Sequence, residues 1–114
     1  MAIVNITCEN DADFCRQFAY QLVDGTPIDL TGNTMKMGIR HRAADVTEEM
    51  LLTTENGGLS ITDPPNGKFT VTITQAQLVQ LEVGDYEHSL IRIVGPQRIR
   101  VWSGSLVNNA GASR

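Results

Sequence analysis

The sequence is short of aromatic residues. Only Phe14, Phe18, Tyr20, Phe69, Tyr86 and Trp102 occur, so a core must be built mainly from Ile, Val, Leu and Met. Cysteine is limited to Cys8 and Cys15. That excludes a disulfide-rich scaffold, and without a C-x-x-C pair it excludes a thiolate zinc module. Histidine is limited to His41 and His88, with no H-x-x-x-H spacing. Positive charge is also short. The net charge is −4 and the pI is near 5.0, which argues against a nucleic-acid binder driven by phosphate contacts. No apolar run approaches the ~20 residues of a membrane-spanning helix. Met1 to Asn5 shows no basic n-region, so no signal peptide is expected and the chain reads as folding in a cytoplasm. There is no G-x-S-x-G elbow and no Gly-rich phosphate loop. The expectation is a non-enzyme with no cofactor, no metal, no nucleic-acid partner and no membrane partner.

What the sequence has is alternation cut by turns. With 114 residues it makes one domain, large enough to bury roughly 65% of its unfolded surface without staples. Ile3 to Thr7 is a short strand candidate. Phe14, Phe18, Tyr20 and Leu22 share one parity and predict a strand with that face inward. Met35, Met37 and Ile39 do the same after residue 33, and a polar loop follows from Arg42 to Glu49. Met50 to Thr54 and Leu59 to Thr62 are shorter candidates, separated by the hairpin signal Asn56-Gly57-Gly58. Asp63-Pro64-Pro65-Asn66-Gly67 is a rigid turn. The cleanest strand is Lys68 to Thr74, with Phe69, Val71 and Ile73 inward and threonines outward.

Alternation then breaks. Thr74 as N-cap and Gln77 at the capping-box position predict one short helical turn ending before Gly84. Asp85 to Val94 changes its apolar parity partway, which predicts a bulge or burial on both sides. Arg98 to Val107 is the last strand. About seven strands and one helical turn specify an all-β, immunoglobulin-like antiparallel β-sandwich over residues 1–107, with 108–114 as a flexible tail.

Between the first two long runs lies a hinge, with Asp24, Gly25, Pro27, Asp29, Thr31 and Gly32 as its structural turn residues. Asp24-Gly25 is a turn pair, and the Asp29 carboxylate is expected to accept backbone N–H groups. Cys8 and Cys15 flank Glu9 to Asp13, where two strands are expected to form a hairpin. They read as two reduced thiols, although neighbouring strands would allow oxidation if their Cα atoms came within ~7 Å. His88 reads as a satisfied or solvent-facing strand histidine rather than a ligand or general base. Trp102, Arg98 and Arg100 fall on a last strand read as an edge, with Arg92 facing them across Gly95-Pro96. Tryptophan and arginine are interaction hot-spot residues, so these four, with His41 and Arg42 in the polar loop after Arg40, are the candidate partner contacts; the arginines equally suit a solvated edge that resists edge-to-edge pairing.

The order of features resembles a known family. An Asp11-x-x-Phe14 lead-in and an aromatic strand come first. D-G-x-P-I-D-L-T-G and a strand ending Ile39-Arg40 follow. Gly67 to Thr74, a short helix, Gly84-Asp85-Tyr86 with Leu90, and an arginine-bearing strand complete the series. This is similar to the small β-sandwich domain of tailed-bacteriophage virion proteins, in particular the N-terminal domain of baseplate upper proteins, over about Asp11 to Val107. The resemblance implies a structural protein of the virion, assembled in the host cytoplasm. Its partners would be other virion proteins, in a symmetric ring or homo-oligomer. In the larger baseplate proteins a receptor-binding or fibre-attaching part follows the domain. Here the implied role is a connector in the tail, baseplate or fibre-attachment region. A head-decoration protein and a small carbohydrate-binding module are the alternatives.

Overall fold

Strands form where the alternation places them, and they stack as two sheets. The computed structural model describes residues 2–113; Met1 and Arg114 lie outside them. In chain order the elements are β1 (Ala2–Ile3), β2 (Ile6–Glu9), β3 (Phe14–Ala19), β4 (Thr34–Arg40), β5 (Met50–Thr53), β6 (Leu59–Asp63), β7 (Lys68–Ile73), α1 (Gln75–Gln80), β8 (Gly84–Val94) and β9 (Gln97–Asn109). The larger sheet runs β1-β9-β8-β4-β5, with β2 continuing β1 alongside β9. The smaller sheet runs β3-β7-β6. The all-β sandwich is therefore present, with nine strands among the described residues rather than about seven.

Its core follows the predicted parities. Met35, Met37 and Ile39 of β4 face Phe69, Val71 and Ile73 of β7, all essentially inaccessible. Phe18, Phe69 and Trp102 meet between the sheets, with ring centroids 4.6 Å apart for Phe18–Trp102 and 5.6 Å for Phe69–Trp102. Edge-on and tilted aromatic contacts of this kind add to what burial alone contributes. Leu22, expected inward, is exposed. β3 stops at Ala19, and Leu22 sits in a tight turn whose N–H donates to the Thr26 carbonyl.

The larger sheet is not wholly antiparallel. β1 and β2 pair parallel with β9, in the register Ile3↔Ser103 and Ile6↔Leu106. No hairpin joins β2 to β3, which lie in different sheets. The reason is packing. Ile6 and Cys8 bury themselves beside β9, while Phe14 and Phe18 are needed opposite Ile73 and Phe69. The close approach at the break between β1 and β2 requires Gly104, where a Cβ would overlap the Val4 carbonyl oxygen.

Helix α1 closes one end of the sandwich. Thr74 and Gln77 form the predicted capping box, and Leu78 is fully buried. The buried Asn108 amide donates to the carbonyls of Leu78 (3.0 Å) and Leu81 (2.9 Å), satisfying the helix C-terminus. The flexible tail expected from residue 108 is therefore corrected. β9 continues to Asn109, Gly111 N donates to Asn10 Oδ1 at 2.8 Å, and Ser113 N donates to Asp11 Oδ2 at 3.3 Å.

Just after α1, the Tyr86 hydroxyl donates to the Glu82 carbonyl at 2.6 Å. A tyrosine at the start of the strand after such a crossover, bonded to backbone a few residues upstream, marks immunoglobulin-like sandwiches. Together with the strand orders β3-β7-β6 and β9-β8-β4-β5, it makes this fold immunoglobulin-like.

At the opposite end the hinge does structural work. Asp24 Oδ1 accepts from Thr26 N and Asp29 Oδ1 from Thr31 N, both at 2.9 Å. Hydrogen bonds from the Thr26 backbone and the Thr31 side chain hold these two carboxyls below the usual range. Gly25 and Gly32 take positive φ, and Pro27 bridges to Gln21. Leu30 is fully buried, with its N–H on the Pro64 carbonyl. The hinge string is thus a plug and two caps.

Candidate functional site

One extra residue in β9 shapes the outer face of the larger sheet. Leu90 pairs with Trp102, but Ile91 pairs with Arg100, so Val101 is inserted as a bulge. Val101 and Trp102 then both turn inward, at 5% and 3% exposure. The insertion reverses parity, and Arg98 and Arg100 come onto the same outer face as Ser103 and Ser105. The face change expected within β8 lies instead in its partner strand.

Three cross-strand rows floor this face. Lys36, Ile91 and Arg100 form one row. Gly38, Ser89, Ser103 and Ile3 form the next. Arg40, Glu87 and Ser105 form the third. The small middle row leaves a groove of about 670 Å³. Arg40 at its far end is engaged, pairing with Glu48 at 3.5 Å and donating to the Val46 carbonyl at 2.8 Å. Glu48 lies over Gly38, where a Cβ would come within 2.9 Å of Glu48 Oε2. Glu87 accepts the Ala43 N–H at 2.8 Å, tying the loop after β4 to the sheet.

The six candidate contacts separate. Arg98 and Arg100 lie together in the groove. Trp102 does not join them. It is a core residue beneath the groove, and β9 is an interior strand flanked by β8 and by β1 and β2. Arg92 faces inward too. Its guanidinium lies 5.6 Å from the Tyr20 ring centroid and donates to Asn33 Oδ1 at 3.1 Å. His41 and Arg42 lie beyond the far end of β4. His41 stacks on Tyr86, with centroids 4.5 Å apart, and its Nε2 is 3.7 Å from Glu49 Oε1. Arg42 is exposed, and its N–H caps on Asp45. The groove residues that sequence reasoning missed are Lys36, Gly38, Arg40, Ser89 and Ser103. For Lys36, Gly38 and Arg40 the available signal was their alternation with Met35, Met37 and Ile39 in β4, whereas Ser89 and Ser103 join them only through the register of the strands.

His88 is buried and occupied at both nitrogens. Trp102 Nε1–H donates to His88 Nδ1 at 3.2 Å, which leaves Nε2–H to donate to the Ser105 carbonyl at 3.1 Å. Burial pushes its pKa down. Cys8 and Cys15 are free thiols on different sheets, and burial raises the Cys8 thiol to about 11. Among the described residues no group of three His, Cys, Asp or Glu side chains could hold a metal ion.

No protein-family model matches the chain, and no curated protein matches it. Among solved structures, one titled "Structure or murine CRIg" is similar at 13% identity and a TM-score of 0.45, covering 94% of this chain and 92% of that one. The fold assignment rests on strand order and the Tyr86 hydrogen bond, not on this likeness.

Proposed function

We propose that the protein is a non-enzymatic structural module of a tailed-bacteriophage particle. It serves as a connector in the tail, baseplate or fibre-attachment region and binds other virion proteins in a symmetric ring or homo-oligomer. The sequence resemblance from Asp11 to Val107 supplies the particle. The observation that carries the binding role is the set of open sheet margins. Among the described residues β3, β5 and β6 each pair on one side only, and unpaired N–H and C=O groups are templates for a partner's strand. Ring symmetry multiplies a contact of this size through avidity.

A sugar-binding reading draws no support from the aromatics. Trp102 and Tyr86 are buried, and Tyr20 lies beneath Arg92. Quantitative mass spectrometry of purified particles tests the proposal. A ring-sized copy number relative to the major capsid protein is expected. A copy number near that of the capsid would make the protein a head decoration, and absence from the particle would end the structural reading.

A further inference from the structure

The chain is acidic, yet the groove on the outer face of its larger sheet is not. Four of its nine cations line the groove, Lys36, Arg40, Arg98 and Arg100, against two of its thirteen carboxylates, Glu48 and Glu87. Both carboxylates are already engaged, Glu48 by Arg40 and Glu87 by the Ala43 N–H. Lys36, Arg98 and Arg100 make no ion pair or side-chain hydrogen bond with any other described residue. Three unneutralised cations thus stand along one wall. They overlook a floor of Gly38, Ser89 and Ser103, with Ile91 between Lys36 and Arg100.

Natural chains do not need this concentration for stability. Like charges on neighbouring rows repel, and their mutual cost falls when an opposite charge docks. The Val101 bulge produces the cluster, because unbroken alternation from inward-facing Trp102 through Val101 would turn Arg100 and Arg98 to the core side.

We infer that this groove is a docking site for an acidic, extended segment of a partner protein. Its carboxylates would meet Lys36, Arg98 and Arg100, and its backbone would lie over the small middle row. The hydroxyls of Ser89 and Ser103 offer hydrogen bonds at the floor, and Ile91 and the exposed Ile3 offer apolar contact. A peptide fits this mixture better than a polyanionic backbone does. Glu48 and Glu87 sit in the same groove and repel a phosphate chain, whereas a peptide can turn its own N–H groups toward them. The inference is independent of the virion reading, since it concerns what the face binds and not where the protein resides.

The test uses the full chain and a fluorescein-labelled octameric glutamate peptide, read by fluorescence anisotropy and by amide chemical shifts. Binding is expected to weaken steeply between ~50 and ~200 mM salt. It is expected to shift the amides of Gly38, Ser89 and Ser103. The double variant Arg98→Glu/Arg100→Glu should lose at least about tenfold in affinity, whereas Arg16→Glu/Lys68→Glu, the same charge change on the smaller sheet, should change it less than about twofold. If the first variant does not fold, Arg98→Gln/Arg100→Gln carries the same comparison. Equal losses in both pairs would overturn the inference. So would shifts confined to other surfaces, or tighter binding of a single-stranded oligonucleotide. A peptide-free dimer that breaks on Arg100→Glu would assign the face to a second copy of this chain instead.

Discussion

Replacing Tyr86 by phenylalanine removes one oxygen and leaves the packing of the ring intact. The lost hydroxyl donates to the Glu82 carbonyl at 2.6 Å. The bond is only part-buried, so water recovers part of the carbonyl's hydrogen bonding. The net cost is then about 1–2 kcal/mol rather than the full penalty of a buried orphan. Unfolding entropy near ~2.1 cal/mol/K per residue gives roughly 240 cal/mol/K for a chain of this length, so the melting temperature should fall by about 4–8 °C. Trp102 is the single tryptophan, so its fluorescence against urea reports the same loss as a lower midpoint with unchanged slope.

The pH dependence supplies an internal control. Burial, with smaller contributions from Glu82 and Glu49, raises the Tyr86 phenol above its usual 10.0. The unfolded phenol therefore ionises first. This group's contribution is fully present below pH 10 and declines as pH rises above it. The Tyr86→Phe variant has no phenol to ionise and lacks that decline. A melting shift below about 1 °C, together with an unchanged alkaline slope, would refute the role given to this hydrogen bond.

Other outcomes follow from the same geometry. Burial holds the His88 pKa below its ordinary 6.5, so its share of stability is complete above pH 6.5 and is lost as pH falls from there toward the folded value. Urea midpoints at several pH values should show this slope, and His88→Gln should flatten it. Gly67→Ala should cost about 2–4 kcal/mol, because φ is +68° and the new Cβ would lie 2.5 Å from the Tyr20 carbonyl oxygen. Gly25→Ala, at positive φ but in open space, should cost only about 1 kcal/mol; equal melting shifts would contradict the clash. A thiol reagent at neutral pH should label exposed Cys15 quickly and Cys8 only on unfolding, and equal labelling rates would contradict the burial of Cys8.

The period-two pattern made the long strands legible. Met35, Met37 and Ile39, and likewise Phe69, Val71 and Ile73, point where alternation placed them. Capping chemistry made Asp24, Asp29, Thr74 and Gln77 legible, because each acts on backbone within a few residues. What stayed hidden depends on partners far along the chain. A strand's own residues do not say which neighbour it will join, so pattern alone makes β9 an edge and Trp102 a surface residue. A single insertion such as Val101 inverts the faces of everything beyond it, and nothing local announces it. The order beyond residue 108 was equally invisible, since Asn108 finds its acceptors thirty and twenty-seven residues away.

The parallel pairing of β1 and β2 with β9 also has a mechanical consequence. These strands lie near opposite ends of the sequence yet run side by side in the same direction. Tension applied across the two ends would slide them past one another, loading the whole ladder from Ile3↔Ser103 to Glu9↔Asn109 in shear at once. Antiparallel terminal strands would peel apart bond by bond. Pulled from both ends in a force–extension experiment, the domain should resist to a single abrupt rupture, and a gradual low-force opening would show that this ladder is not the clamp.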